Sequence, residues 1–496
     1  MRIINLAVSI SAIALIATGA TAQGDAPAAP QASTAATAVV PAQDPKEIAR
    51  AAKAEQARQK NLIKQFGMGP YPEEIDGYLA DKPEALKPYY KLLIAGGERN
   101  AVLNFQRLGL AAINVGEFDR AEWAFDKALD RIETIYAKNP QADAARSLFH
   151  NEANKDYKGE PYERSMAYYY RGLLYLRKGD YGNARAVFKQ AEFQDTLSDA
   201  ETFQSDFAVM NYMIGWTYHC EGQASSASES FGIAAKAQPG LNAPAPGDTL
   251  LIVSELGNGP VKARDGAQSQ KLVFQAGPAY PESAAVAAVA FPTAAAAPLK
   301  KGAKAIAAPS PYSVNLMQAS SVYYQATTRG GRAIDGVMNG KANWKGGTDT
   351  AGDVVGKVGE MSGDSTMQLI GLGMKLFSST MKTNADIRAW DGLPDLIMVG
   401  TGKTGPNFGF DMSYRKGTEP LTISGGPVMK GGNAACNIAW SRSRPIVLPS
   451  DAVPGEDVGV ARAVSRKAGV AQKDRAFRTA LTGQEYVLGA QASAAR

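Results

Sequence analysis

Two cysteines and two histidines in 496 residues leave little from which to build a metal centre or a cross-linked scaffold. Cys220 and Cys436 stand far apart, and neither His150 nor His219 belongs to a His/Cys cluster at metal-ligand spacing. Exported disulfide scaffolds carry many more cysteines; one bridge between these two is possible, but they fall in different expected domains, so it is not the favoured expectation. Cys436 alternates with Ile438 and Trp440 in "AACNIAW", which reads as a small core residue on a half-buried strand. No metal and no cofactor is expected. Charge of one sign is also scarce: 53 basic against 48 acidic side chains give +5, too mild a balance for nucleic-acid binding. There is no G-x-S-x-G elbow and no H-E-x-x-H run, and no enzymatic activity is expected.

One stretch imitates a nucleotide site. In "DLIMVGTGKTGPNFGF" (395–410), Gly402-Lys403-Thr404 matches the end of a phosphate-binding loop. The first glycine of that pattern should stand at Ile397, and a helix should follow. Gly405 and Pro406 follow instead, then Phe408-Gly409-Phe410, so the stretch reads as a strand and its turn.

The start of the chain reads as an address. Met1-Arg2, an apolar run over Ile3–Ala17 and Ala20-Thr21-Ala22 form a secretory signal peptide over 1–22, cut after Ala22. Export to the periplasm or beyond follows. No cysteine adjoins the cleavage point, so lipid attachment there is not expected. Residues 23–44, rich in Ala, Pro and Thr, read as a disordered leader.

From 45 to 242 the pattern is helical, and an internal repeat appears near 102–135, 165–198 and 208–241. Gly109, Gly172 and Gly215 align, as do the turn glycines Gly116, Gly179 and Gly222. Ala121, Ala184 and Ala227 follow, then Phe125, Phe188 and Phe231, then Ala128, Ala191 and Ala234. Small residues suit a close helix crossing, with an aromatic filling the gap to the next unit. The pattern resembles the tetratricopeptide repeat. Its turn glycines lie 63 and 43 residues apart, which implies insertions over a period of roughly 34.

The run "YKGEPYERSMAYYYRGLLYLRKGDYGNARAVFKQAE" (157–192) is similar to the signature of a family of exported bacterial tetratricopeptide proteins, mostly lipoproteins. "ELGNGPVK" (255–262) and "NADIRAWDGLPDLIMV" (384–399) continue the resemblance. It singles out Tyr157, Gly159, Glu160, Tyr162, Glu163, Arg164, Asp386, Arg388 and Trp390 as motif residues. The resemblance implies a role in the cell envelope and no established reaction. This chain departs from it in lacking the lipidation cysteine and in carrying an Ala/Pro/Lys insertion over 293–311.

Residues 243–449 read as a β-rich domain of antiparallel strands with a helical insertion near 350–390, followed by a tail over 450–496 that has room for a surface helix. The expected class is α+β: a tetratricopeptide-like solenoid, then the β-rich part. Within 350–383, Gly352/Gly356 and Gly359/Gly363 are four apart, which suits a membrane-contacting hairpin or a closely packed helix pair. The apolar run is short for a span and holds Lys375, which favours the pair while leaving peripheral membrane contact open.

Two functional classes come out of these patterns. The first is a binding or scaffold protein of the envelope, holding a protein or peptide in the concave groove of the repeats. Aligned on the turn glycines, that groove is lined by Gln106, Leu110 and Asn114, by Tyr169, Leu173 and Arg177, and by Tyr212, Trp216 and His219. The same aromatics could instead pack on the β-rich part. The second class is an enzyme or binding module for cell-wall or polysaccharide substrate, sited between repeats and sheet. Asp386 and Asp391 flank Trp390, but two carboxylates on one loop are more often caps and turns.

Overall fold

The computed structural model describes residues 45–66, 70–136, 156–196, 206–265, 271–290, 310–328, 385–405, 407–423, 428–446 and 471–483. The signal peptide, the leader and the glycine-patterned run 350–383 lie outside them. The chain divides into two compact units, 1–59 and 60–496. The first contributes the start of helix α1 (Pro45–Phe66), whose described side chains there are exposed.

The larger unit opens with α2 (Pro72–Leu79) and α3 (Lys87–Gly96). Three helix pairs follow: α4 (Ala101–Asn114) with α5 (Phe118–Tyr136), α6 (Pro161–Lys178) with α7 (Tyr181–Thr196), and α8 (Ala208–Cys220) with α9 (Ala224–Ala237). The turn glycines Gly116, Gly179 and Gly222 adopt φ of +80°, +70° and +71°, where a side chain would be strained. A Cβ on Gly109, Gly172 or Gly215 would collide with the ring of Phe125, Phe188 or Phe231. Each phenylalanine therefore packs on the glycine of its own pair, besides any role towards the next. Phe125 does both, since it also stacks on Tyr170 of α6 at 5.8 Å.

Eleven strands follow among the described residues: β1 (Leu250–Leu256), β2 (Val261–Asp265), β3 (Lys271–Gln275), β4 (Ala284–Ala290), β5 (Tyr312–Asn315), β6 (Met317–Ser321), β7 (Leu396–Gly402), β8 (Gly409–Lys416), β9 (Glu419–Leu421), β10 (Val428–Gly432) and β11 (Asn437–Arg442). A short helix α10 (Val322–Thr327) follows β6. The main sheet runs β10-β11-β1-β7-β6, a second sheet runs β5-β4-β8-β9, and β2-β3 form a hairpin. The sequence reading expects antiparallel pairing, and β1 with β11 departs from it: Leu250 to Glu255 run parallel to Asn437 to Arg442. A parallel partner must arrive by a long connection, and local patterning cannot report it.

Strand alternation sorts the main sheet into two faces. Leu251, Val253, Ile397, Val399, Ile438 and Trp440 join one core with the helical repeats. Leu250, Ile252, Met398 and Ala439 join another with the second sheet. The main sheet is thus a middle layer, and β1, buried on both faces, has no side that faces solvent. The core is continuous across residue 242.

The apparent nucleotide loop is the end of β7. Lys403 points to solvent, and its carbonyl accepts a hydrogen bond from the Tyr312 hydroxyl at 2.7 Å. Strand β8 follows where a phosphate loop needs a helix.

The two cysteines are joined. A disulfide links Cys220 at the end of α8 to Cys436 at the entrance of β11, with a Cα–Cα distance of 5.6 Å. This corrects the expectation of an unbridged pair. The parallel strand β11 brings Cys436 back beside the third helix pair, a long-range placement that spacing in the sequence does not reveal.

Candidate functional site

The motif residues meet at one place. Pro161 starts α6, and the Glu160 N–H donates to the Glu163 carboxylate at 2.7 Å, closing the first turn. That carboxylate is fully buried and takes two further donors: Lys262 Nζ at 2.6 Å and the Trp390 N–H at 2.9 Å. Lys262 Nζ, from the β2-β3 hairpin, also donates to the Arg388 carbonyl at 2.9 Å. The Arg388 guanidinium grips Asp386 through Nε at 2.9 Å and NH2 at 2.6 Å, and reaches Asn100 at 2.8 Å. Burial pushes the Asp386 carboxyl up, but the charge and hydrogen bonds of Arg388, with the charge of Lys262, together hold it below the ordinary range. Tyr157 lies buried with its ring 5.5 Å from both Lys262 Nζ and the Arg388 guanidinium. Arg164 donates to Gln194 at 2.6 Å and to the carbonyl of Gly159, whose φ is +74°. The Tyr162 ring meets Phe274 of β3 edge-on at 5.8 Å.

Asp386 and Asp391 do not face each other across a substrate space. Asp386 is spent on Arg388, and Asp391 pairs with Arg107 of α4 at 2.8 Å. The residues form a latch between α4, α6 and the β2-β3 hairpin. Glu163, Lys262, Asp386, Arg388 and Arg107 each have an opposite charge beside them and hydrogen bonds, the condition under which burial is tolerated.

A second buried cluster lies on the helix-facing side of β1. Glu255 accepts from the Tyr170 hydroxyl at 2.8 Å and from Trp440 Nε1 at 3.0 Å, with Arg442 Nε at 3.6 Å. Burial pushes the Glu255 carboxyl up, against the opposing pull of Arg442 and these donors. The Tyr170 ring meets Trp390 at 5.6 Å, which ties this cluster to the latch.

Residues 167–192 match the tetratricopeptide-repeat family model. No curated protein and no solved structure matches the chain. The match covers most of α6 and α7, the pair whose Gly172 and Phe188 interlock. Tetratricopeptide stacks are protein-interaction folds with a concave face. The α+β class read from the sequence holds: repeats first, then the strand-rich part.

The groove expected on that concave face is occupied by the chain's own sheet. Gln106, Tyr169, Tyr212 and Trp216 are buried. Gln106 Nε2 donates to the Glu163 carbonyl at 3.4 Å, the Tyr212 ring meets Phe231 at 5.0 Å, and Trp216 stacks on His219 at 5.1 Å. His219 Nε2 lies 2.8 Å from the Asp248 carbonyl just before β1. Arg177 and Asn114, at the rim, are partly exposed; Arg177 lies 3.8 Å over the Phe118 ring, with β10 Gly431 against its backbone. The row is core between helices and sheet, which corrects its reading as a partner surface. The two alternatives depend on what covers the face, and the covering strands are remote in sequence.

Two features escaped the sequence. Arg107, Asn100 and Lys262 bear as much of the latch as the residues singled out, although Lys262 stands within the "ELGNGPVK" stretch that carries the resemblance. Glu160-Pro161-x-Glu163 after a turn was the available signal, since a capping box with proline at the first helical position fixes Glu163 in the first turn. The other is where the helix of the tail goes: α11, over 471–483, lies on the first repeat pair. Phe477 meets Phe105 of α4 edge-on at 6.1 Å.

Proposed function

We infer that this is an exported, non-enzymatic scaffold of the bacterial cell envelope that holds a protein partner. The observation that carries this reading is the commitment of the motif side chains. Glu163, Lys262, Asp386 and Arg388 spend their charges on one another, so the residues that resemble the family signature build a rigid joint and leave no pair of groups facing a substrate. The tetratricopeptide match supports protein binding as the task. The signal-peptide pattern supports export, and the Cys220–Cys436 disulfide suits an oxidising compartment. Partners then meet the outer edges of the repeats.

Photocrosslinking in intact cells, followed by fractionation and intact-mass measurement, tests the reading. The expected result is a periplasmic chain beginning at Gln23, not acylated, and joined to a defined envelope protein. A chain recovered from the cytoplasm with residue 1 retained, or one that crosslinks to nothing above background, overturns it.

A further inference from the structure

With the concave face closed by the sheet, a partner has to meet the repeats elsewhere, and helix α11 marks a place built to hold a helix. Twenty-four residues separate α11 from Ile446. It turns one stripe inward: Ala471, Phe477 and Leu481 are buried, and Asp474 lies on the same side. The receiving surface is specific. The Arg131 guanidinium lies 5.0 Å from the Phe105 ring and 5.2 Å from the Phe477 ring, and Glu98 pins it from behind at 3.0 and 3.3 Å. The Asp474 carboxylate accepts from the Glu98 N–H at 3.0 Å. Gly97, at φ +65°, leaves the room that carboxylate takes, for a Cβ there would collide with it. At the exposed rim Lys473 stands 3.9 Å from Asp156.

An aromatic anchor, a stacked cation and a backbone donor that reads an acid at fixed register are the parts of a helix-recognition site. The docked segment brings only two large apolar side chains to order its whole length, and a helix this short does not persist alone. Phe477 and Leu481 join the core of the repeats, so the helix is held by this one surface and by the chain that leads to it.

We propose that the edge formed by Gly97–Glu98, α4 and α5 is a helix-binding site, that α11 is its tethered resident, and that the partner supplies a competing amphipathic helix. That helix carries an acid, an aromatic residue three positions on and an aliphatic residue four beyond that, the pattern of Asp474, Phe477 and Leu481. The proposal rests on the partner-binding reading above and adds the surface and the partner's chemistry.

The test uses the full chain and a fluorescein-labelled peptide of residues 471–483 as the probe. In Leu481→Asp and, separately, Phe477→Asp chains the tethered helix is released. Fluorescence anisotropy should show the peptide binding both, and binding wild type at least tenfold more weakly, because the tether holds its own helix at high effective concentration. Arg131→Ala in the released background, or Phe477→Ala in the peptide, should abolish binding. No binding to released chains that keep wild-type circular dichroism overturns the proposal, and so does equal binding to released and wild-type chains. Hydrogen exchange on the wild type needs no substitution. Saturating peptide should speed exchange in 471–483 while 101–136 stays protected, and unchanged exchange in 471–483 overturns the proposal. An envelope partner captured equally by wild-type and released chains would sink this site and leave the scaffold reading standing. Peptide binding with no envelope partner found would support the site and count against that reading.

Discussion

Replacing both Cys220 and Cys436 with alanine removes the disulfide cross-link between the third repeat pair and the main sheet. The bridge spans 216 residues of chain. Loop-closure entropy for a loop of that length amounts to about 5 kcal/mol at 25 °C, and measured bridges more commonly give 2–4. For a folded unit of several hundred residues, each kcal/mol moves the melting midpoint by roughly 1–2 °C, so the variant should melt about 3–10 °C below wild type. The loss should be local in its first effect. The Asn433–Cys436 turn is also held by the Tyr181 hydroxyl, which donates to Asn433 Oδ1 at 2.8 Å and to the Cys436 carbonyl at 3.0 Å. Backbone exchange should therefore rise in β10, β11 and the end of α8 before it rises in α4. Calorimetry with and without reductant, alongside non-reducing mass analysis, checks this. If the wild-type chain carries two free thiols after purification from the periplasm, or if the oxidised and double-alanine chains melt together, the reasoning is wrong.

Lys262→Met leaves the buried Glu163 carboxylate without its cation and should cost about 3 kcal/mol; adding Glu163→Gln should recover part of that, a coupling read by denaturant titration of the four chains. Gly172→Leu drives a side chain into the Phe188 ring and should destabilise the repeats by roughly 1–3 kcal/mol or more, whereas Lys403→Ala removes an exposed charge and should leave the melt unchanged, with or without ATP. An ATP-dependent shift lost in Lys403→Ala would contradict the strand-and-turn reading. The Glu255 carboxyl is held above its ordinary 4.5, so between 4.5 and the raised value the native chain binds more protons there than the unfolded one, and its contribution to stability grows as pH falls from neutral. Melts taken as pH is lowered from neutral to 4.5 should show that gain in wild type and not in Glu255→Gln; equal slopes would refute it.

Much of the fold was legible because its signals are local. Gly172 and Phe188 stand sixteen residues apart on two helices joined by one turn, so their interlock repeats as a pattern in the chain. Strand β7 announced itself through an apolar run before Gly and Pro. The site was less legible because its meaning depends on what returns from afar. Tyr169, Tyr212 and Trp216 look the same in sequence whether a partner or a sheet covers them, and the cover is the main sheet, whose strands lie far along the chain. Arg388 and Glu163 were visible as motif residues, but their joint use required Lys262 between them. Phe477 sits in a basic, alanine-rich tail whose composition gave no hint of the Phe105–Arg131 pocket.

Strand β1 lies between β7 and β11, which are contributed by residues 396–402 and 437–442, while the helices it seals end at Ala237. Assembly therefore has an order imposed by the chain. As the polypeptide emerges from its N-terminal side, the three helix pairs can close on their own short-range contacts. Their aromatic row then stands uncovered until the last strand of the middle layer arrives, some two hundred residues later. Slow, long-range strand pairing on top of a fast-folding helical half is the situation in which nascent chains stick to one another. Nascent chains stopped before residue 437 should be the forms of this protein that need a holdase, and the closing of Cys220 onto Cys436 marks the moment at which that need ends.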